Sequence, residues 1–278
     1  MSAQVQDRQV REASYTGPDY AAGVGRVARL LVVPAVALAC WWLLAAVIGP
    51  VAVADPPATV AAAAEGVREG WLVSSLLETL AATALGFLLA TATGLWLGFM
   101  LGMSRFWGDV LEGPLLWLYS IPKVTLFPLF LLLLGLGLSS TVLFGAFHGI
   151  FPLTLFLMAA IRGIPPVMLQ VARVYRLNRR QTFTRIVVPE TLPAMVMGIR
   201  YCFSLTFLGV ILAEMFAARA GAGYELMQAI SLNNVARIFA VALTLVLVAL
   251  VVNMCLLAVQ GVVNRRRGGT LDDDTAPR

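Results

Sequence analysis

The sequence predicts an all-α membrane protein with six transmembrane helices, and three observations carry that prediction. Of 278 residues, 60% are hydrophobic and only 13% are charged. The mean hydropathy is +0.86, whereas soluble domains are roughly 45–50% apolar and about 25% charged. Apolar runs of about 20 residues recur along the chain, the length a helix rising ~1.5 Å per residue needs to cross a hydrocarbon core of about 30 Å. The strand-like alternation and regular turns of a membrane barrel are absent from these runs, so closed helices must satisfy the backbone in lipid.

The elements follow in order. Residues 1–27 begin MSAQVQDRQVREASYTGPDY, which has no apolar periodicity and reads as a disordered cytoplasmic tail. The first span, Leu30 to Gly49, is too long for a signal h-region and is preceded by polar sequence, so no cleaved leader is expected. DPPATVAAAAEGVREGW then reads as a short surface helix, with Pro57 near its first turn where a missing N–H costs nothing. The second span, Leu77 to Met103, carries GLWLGFMLG, a pattern for close helix packing. The third, Leu115 to Gly137, contains Pro122, which frees a carbonyl and can break or kink it. After a GLSS turn come the fourth span, Ser140 to Ile161, and the fifth, Ala194 to Ala218, with Arg200 and Glu214 near its ends. The sixth is Ile238 to Val263, closing a membrane domain over 28–263, and 264–278 form a tail with a basic anchor and an acidic end.

Arginine collects in the N-terminal segment, in the loop after the fourth span and at Arg265, Arg266 and Arg267. With an even number of spans all three fall on one side, and short cytoplasmic loops favour Lys and Arg, so both termini are expected to be cytoplasmic. Cys40, Cys202 and Cys255 lie inside spans with no metal-ligand spacing and read as small buried apolar residues, so no metal site is expected. No catalytic nucleophile with a base and no cofactor motif is present, and no nucleic-acid partner is expected.

The loop over 163–190 is the least bland part of the chain. With Arg162 at its edge, it presents six arginines from Arg162 to Arg185. Pro165 and Pro166 suit a helix start, and Val167, Val171 and Val174 recur at helical spacing, with Arg173, Arg176 and Arg180 away from that stripe. Asn178 followed by Gln181 predicts a capping box for a second short helix bearing Phe183, Ile186 and Val187, with Pro189 as its end. Positive charge alone follows from the orientation rule. Two capped amphipathic helices ask for a partner surface as well.

This loop resembles the coupling loop of binding-protein-dependent ABC importer permeases. Gln170, Val171 and Ala172 stand for its Glu-Ala-Ala triad, Arg176 for its glycine, and Leu192 and Pro193 for its later Leu-Pro. Arg176 departs from the pattern. If the glycine serves a tight helix exit, the departure either moves the turn to Asn178, the preferred reading, or alters the contact with the ATPase. The strings SSLLETLAATALGFLLATATGLWLGFMLG, SIPKVTLFPLF, HGIFPLTLFLMAAIRGIPP and ILAEMFAARAGAGYELMQA look like the sulfonate, taurine and nitrate branch of that family.

The resemblance implies a type I importer permease fold in a bacterial inner membrane. It implies a transport subunit without catalytic residues, docking an ATPase dimer through Gln170 to Val174, Arg176, Asn178, Arg180, Phe183, Leu192 and Pro193, with Val174 and Phe183 among the buried contacts. No GxxxxGK[ST] phosphate loop occurs in the chain, so ATP and Mg belong to the ATPase and no cofactor is expected on this chain. A second permease chain, more readily a homodimer than a heterodimer, and an extracytoplasmic solute-binding protein complete the expected assembly. Aromatic acids or thiamine-precursor pyrimidines are alternative cargoes, and an ion-coupled carrier is the alternative class.

Ionisable residues inside spans mark candidate pathway positions. Lys123, beside Pro122, either faces the pathway or snorkels to an interface. His148, the only histidine, lies at comparable depth and is either a pathway group or a polar group bonded to a neighbouring helix. Glu214 either pairs with an arginine or closes an outer gate.

Overall fold

The computed structural model describes residues 20–272, with side chains from 32 to 263. The expected tail through residue 19, the acidic end over 273–278 and the side chains of Arg26, Arg265, Arg266 and Arg267 lie outside the described residues. The chain divides into two compact units, 1–59 and 60–278.

In the first unit, helix α1 spans Tyr20–Ile48 and α2, Pro56–Glu69, begins. The Trp41 indole donates to the Ala54 carbonyl at 3.0 Å. Asp55 caps α2 by accepting the Ala58 N–H at 2.7 Å, with Pro56 and Pro57 in the first turn where no donor is missed.

The second unit holds α3 Trp71–Met103, α4 Arg105–Ser120, a 3-10 turn Lys123–Leu126, α5 Phe127–Leu134 and α6 Leu138–Arg162. It continues through α7 Pro166–Val174, α8 Arg179–Thr182, a π turn Phe183–Val187, α9 Val188–Ala217, α10 Ala222–Ser231 and α11 Val235–Asp272. Helix α6 packs on both α3 and α9 and is the centre of the bundle. Glycine makes those approaches possible: a Cβ on Gly98 would come 2.9 Å from the Leu157 Cβ, and one on Gly149 would come 2.9 Å from the Cys202 carbonyl. A second cluster, Leu72, Phe203, Phe207, Ala222, Val241 and Leu245, ties α3, α9, α10 and α11 together.

Among the described residues four helices are long and apolar enough to cross a membrane: Trp71–Met103, Leu138–Arg162, Arg179–Ala217 and Val235–Val263. Val32–Ile48 is a shorter apolar helix, and α4 with Lys123–Leu134 forms an apolar pair bent by 92°, the geometry of either a broken span or a re-entrant loop.

Several expectations are corrected. The third span is not one helix from Leu115. Helix α4 starts at Arg105, capped by Ser104, and the chain turns sharply at Ile121 and Pro122 because proline cannot extend the hydrogen-bond ladder. The GLSS segment is not itself the turn: Gly135 and Gly137, at φ 75° and 127°, make it, and Ser139 and Ser140 are already helical. Pro189 does not end the second loop helix. The Val188 N–H reaches back to Phe183 in a π turn, so the chain passes Pro189 and continues into the fifth span as one long helix. Residues 264–272, expected as tail, extend α11 to Asp272. Of the cysteines, Cys202 is buried, whereas Cys40 and Cys255 are exposed on apolar helices.

Candidate functional site: the loop hairpin and the buried Lys123 cluster

Helix α7 leaves the bundle after Ile164 and returns through α8. Its exit has the paired hydrogen bonds of a helix closed on a left-handed residue: Leu177 N–H to Ala172 C=O at 2.9 Å and Arg176 N–H to Arg173 C=O at 3.0 Å. Arg176 itself occupies the left-handed position, at φ 49°. The turn therefore has not moved to Asn178, which sits in extended geometry at φ −73° and caps α8. The capping box is present: Asn178 Oδ1 accepts the Gln181 N–H at 2.8 Å, and Gln181 Oε1 accepts the Asn178 N–H at 3.0 Å.

Only Ala172 of α7 is buried, at 5% exposure. Val167, Val171 and Val174 form an apolar stripe open to the outside, with Val174 79% exposed. Gln170, Arg173, Arg176 and Arg180 are exposed around it. Phe183 points elsewhere. Its ring packs edge-on against Phe99 at 5.0 Å, beside the cluster of Leu157, Ile161, Ile164 and Val187. Leu192 and Pro193 lie in the second turn of α9, inside the continuous helix. Arg162 is not free to meet a partner either, since it bonds Asp109 at 2.7 Å and Glu112 at 2.6 Å and so ties α4 to the end of α6.

The 92° break builds the second site. Pro122 leaves carbonyls of α4 without their ladder donors, and the Lys123 ammonium donates to one of them, Tyr119 O, at 2.8 Å. Lys123 is only 8% exposed. Its Nζ lies 4.8 Å from the Tyr119 ring centroid and 5.3 Å from that of Phe151. Phe151 is three residues beyond His148 on α6, so the two share a face. His148 Nδ1 lies 3.0 Å from the Phe144 carbonyl. That carbonyl can only accept, so Nδ1 is the nitrogen that donates there. Among the described residues no carboxylate forms an ion pair with Lys123. The structure thus brings Pro122, Lys123 and His148 together.

Glu214 belongs to a different place. It is 3% exposed, and its Oε2 accepts the Thr79 hydroxyl at 2.8 Å and the Gly223 N–H at 2.9 Å. Thr79 Oγ1 in turn accepts the Ala222 N–H at 2.8 Å. The pair caps the first N–H groups of α10, where a carboxylate also meets the positive end of the helix dipole. No arginine pairs with Glu214 among the described residues. It lines a cavity of about 360 Å³ with Glu78, Thr141 and Arg219. Thr79 as its partner was not legible in the sequence, because a threonine in an apolar span normally bonds its own helix. The same holds for Arg237, which bonds Glu225 at 2.6 Å and lies 4.0 Å above the Trp71 ring.

Residues 90–269 match the family described as the binding-protein-dependent transport system inner membrane component. The chain belongs to that family. It is a transport subunit of a multi-pass inner-membrane system, with ATP hydrolysis on a separate subunit. Among its relatives, the SsuC aliphatic sulfonates transport permease protein of Bacillus subtilis is 30% identical over 76% of this chain and 77% of its own length. The nitrate import permease protein NrtB of Synechococcus elongatus is 32% identical over 55% of each chain. A solved structure of the MetNI methionine ABC transporter in an inward facing conformation matches with a TM-score of 0.63 at 18% identity, covering 70% of this chain and 97% of that one. That likeness carries the fold of an ABC importer permease.

Proposed function

We propose that this permease subunit translocates a small anion of the sulfonate or nitrate class, delivered by an extracytoplasmic binding protein and driven by ATP on a partner ATPase that also holds the Mg ion. The observation that carries the reading is Lys123: a buried cation at the break in the bent apolar pair, with aromatic rings beneath it and no carboxylate paired to it among the described residues. In a medium of low dielectric such a charge attracts an anion far more strongly than a surface lysine does. His148, whose proton is held by Phe144 O, supplies polarity beside it. The names of the sulfonate and nitrate relatives support the same class of cargo.

In this reading six spans place both termini in the cytoplasm, two copies of the chain enclose the pathway, and the exposed face of α7 docks the ATPase so that its closure rotates the bundle between two accesses. ATP-driven uptake into proteoliposomes, with the ATPase and binding protein present, tests the cargo assignment. Lys123→Met keeps much of the stem and removes the charge, so anion uptake should fall at least tenfold, with the assembly intact. Lys123→Arg, which keeps the charge but alters its shape, should retain part of it. Equal uptake by wild type and Lys123→Met would remove Lys123 from the pathway.

A further inference from the structure

Helix α7 has a second functional face. Val167, Val171 and Val174 point outward, whereas Pro166, Leu169 and Arg173, whose centre lies about 130° around the helix from that stripe, line a cavity of about 610 Å³. The other walls are the ends of α3 and α6, the start of α4 and the loop return: Gly102, Met103, Ile161, Ile164 and Val187 make them apolar, while Arg105, Asp109, Arg162 and Thr182 are polar. Ile161, Ile164 and Val187 are buried side chains, so one part of the cavity is a greasy wall of the bundle core.

The charges around it do not balance. Asp109 is already engaged with Arg162, whose other guanidinium nitrogen is held by Glu112. Arg105 and Arg173 form no ion pair among the described residues. Arg162 with its two carboxylates is left one negative charge in excess, so Arg105 and Arg173 give the rim a net positive charge, and a net positive rim over an apolar wall suits a ligand with an anionic head and a hydrocarbon body. Beside Arg105, the exposed rings of Phe106 and Trp107 pack edge to face with centroids 5.4 Å apart. Exposed aromatic residues next to arginine at the end of a span mark the headgroup level of a membrane.

We infer that the cavity behind α7 binds an anionic phospholipid of the cytoplasmic leaflet, its phosphate between Arg105 and Arg173 and its upper acyl chain against Met103, Ile161 and Leu169. Bound there, the lipid fills the gap between α7 and the bundle. It then stiffens a helix that otherwise buries only Ala172. Transmission from the ATPase to the spans thereby becomes sensitive to lipid charge. The regulatory consequence rests on the reading of α7 as the ATPase-docking helix; the binding site itself does not.

The test separates the two. The full chain, purified in detergent, is titrated with phosphatidylglycerol against a phosphatidylcholine background and retained lipid is read by native mass spectrometry. Wild type should retain phosphatidylglycerol selectively, and Arg105→Gln should lower its apparent affinity about fivefold, the effect of one arginine at an anionic surface. Leu169→Trp, which fills the apolar part of the cavity and leaves both charges, should also displace the lipid, and a thermal melt of each variant identifies any that fails to fold. Equal retention by wild type and folded Arg105→Gln and Leu169→Trp overturns the site. Displacement of the lipid by millimolar glycerol phosphate shows that the site takes a soluble phosphate and overturns the lipid assignment. In nanodiscs with the ATPase bound, hydrolysis should rise with the phosphatidylglycerol fraction in wild type and much less in Arg105→Gln. Selective retention with an unchanged hydrolysis curve keeps the site and overturns its regulatory role, while failure of the ATPase to bind at all strikes the docking reading alone.

Discussion

Two aspartate substitutions in the same loop should behave in opposite ways, because the structure turns their side chains in opposite directions. Val174 is 79% exposed and touches no described core cluster, so Val174→Asp should change the stability of the isolated chain by about 0.5 kcal/mol or less. If its stripe seats on the ATPase, the same change places an unpaired carboxylate in that interface and removes a buried isopropyl group. The loss is about 3 kcal/mol or more, about a hundredfold or more in Kd. Phe183 packs edge-on against Phe99 at 5.0 Å and joins the cluster of Leu157, Ile161, Ile164 and Val187. Truncating such a ring costs about 3–5 kcal/mol before any charge is added, so Phe183→Asp should lower the melting temperature of the chain by itself. The assay is a thermal melt of each purified variant followed by co-purification with the ATPase. Undiminished complex with Val174→Asp would refute the docking face, and a fully stable Phe183→Asp would refute the packing that turns Phe183 inward.

Further tests address single residues. Arg176→Gly should raise thermal stability by about 1 kcal/mol or leave it unchanged, because glycine adopts the left-handed geometry without a Cβ clash, whereas Arg176→Val should lower it; a destabilised glycine variant would mean the arginine side chain holds the turn. Glu214→Ala leaves the Gly223 N–H without its acceptor, while the Thr79 hydroxyl can turn to the Ser75 carbonyl at 3.1 Å, at a cost of about 1–3 kcal/mol, and hydrogen exchange should quicken in α10 and not in α7. Glu214→Gln, which keeps an acceptor oxygen, should recover most of that protection; unchanged exchange in the alanine variant would sink the capping role. The uptake defect of Lys123→Met and the lipid dependence removed by Arg105→Gln complete the set.

What the sequence by itself determined is whatever depends on local composition. Apolar length marks Leu77 to Met103 and Ser140 to Ile161 as spans, because a bilayer selects residues by hydropathy regardless of their neighbours. The capping box at Asn178 and Gln181 was equally legible, since both its hydrogen bonds close within four residues. The family, too, could be read from the order of short strings along the chain. What needed the tertiary structure was every feature set by a distant partner or by backbone geometry. The π turn that carries the chain past Pro189 has no local signature, and proline read alone predicts a stop. Phe183 looks like any stripe residue until α3 brings Phe99 beside it. Glu214 finds Thr79 across a separation of 135 residues, which no periodicity reports. Arg176 shows the limit from the other side: the sequence identified the position where a glycine was missing. Only the fold decided that the arginine accepts the left-handed turn itself, because the two hydrogen bonds back to Ala172 and Arg173 and the cap at Asn178 fix the chain on either side of it.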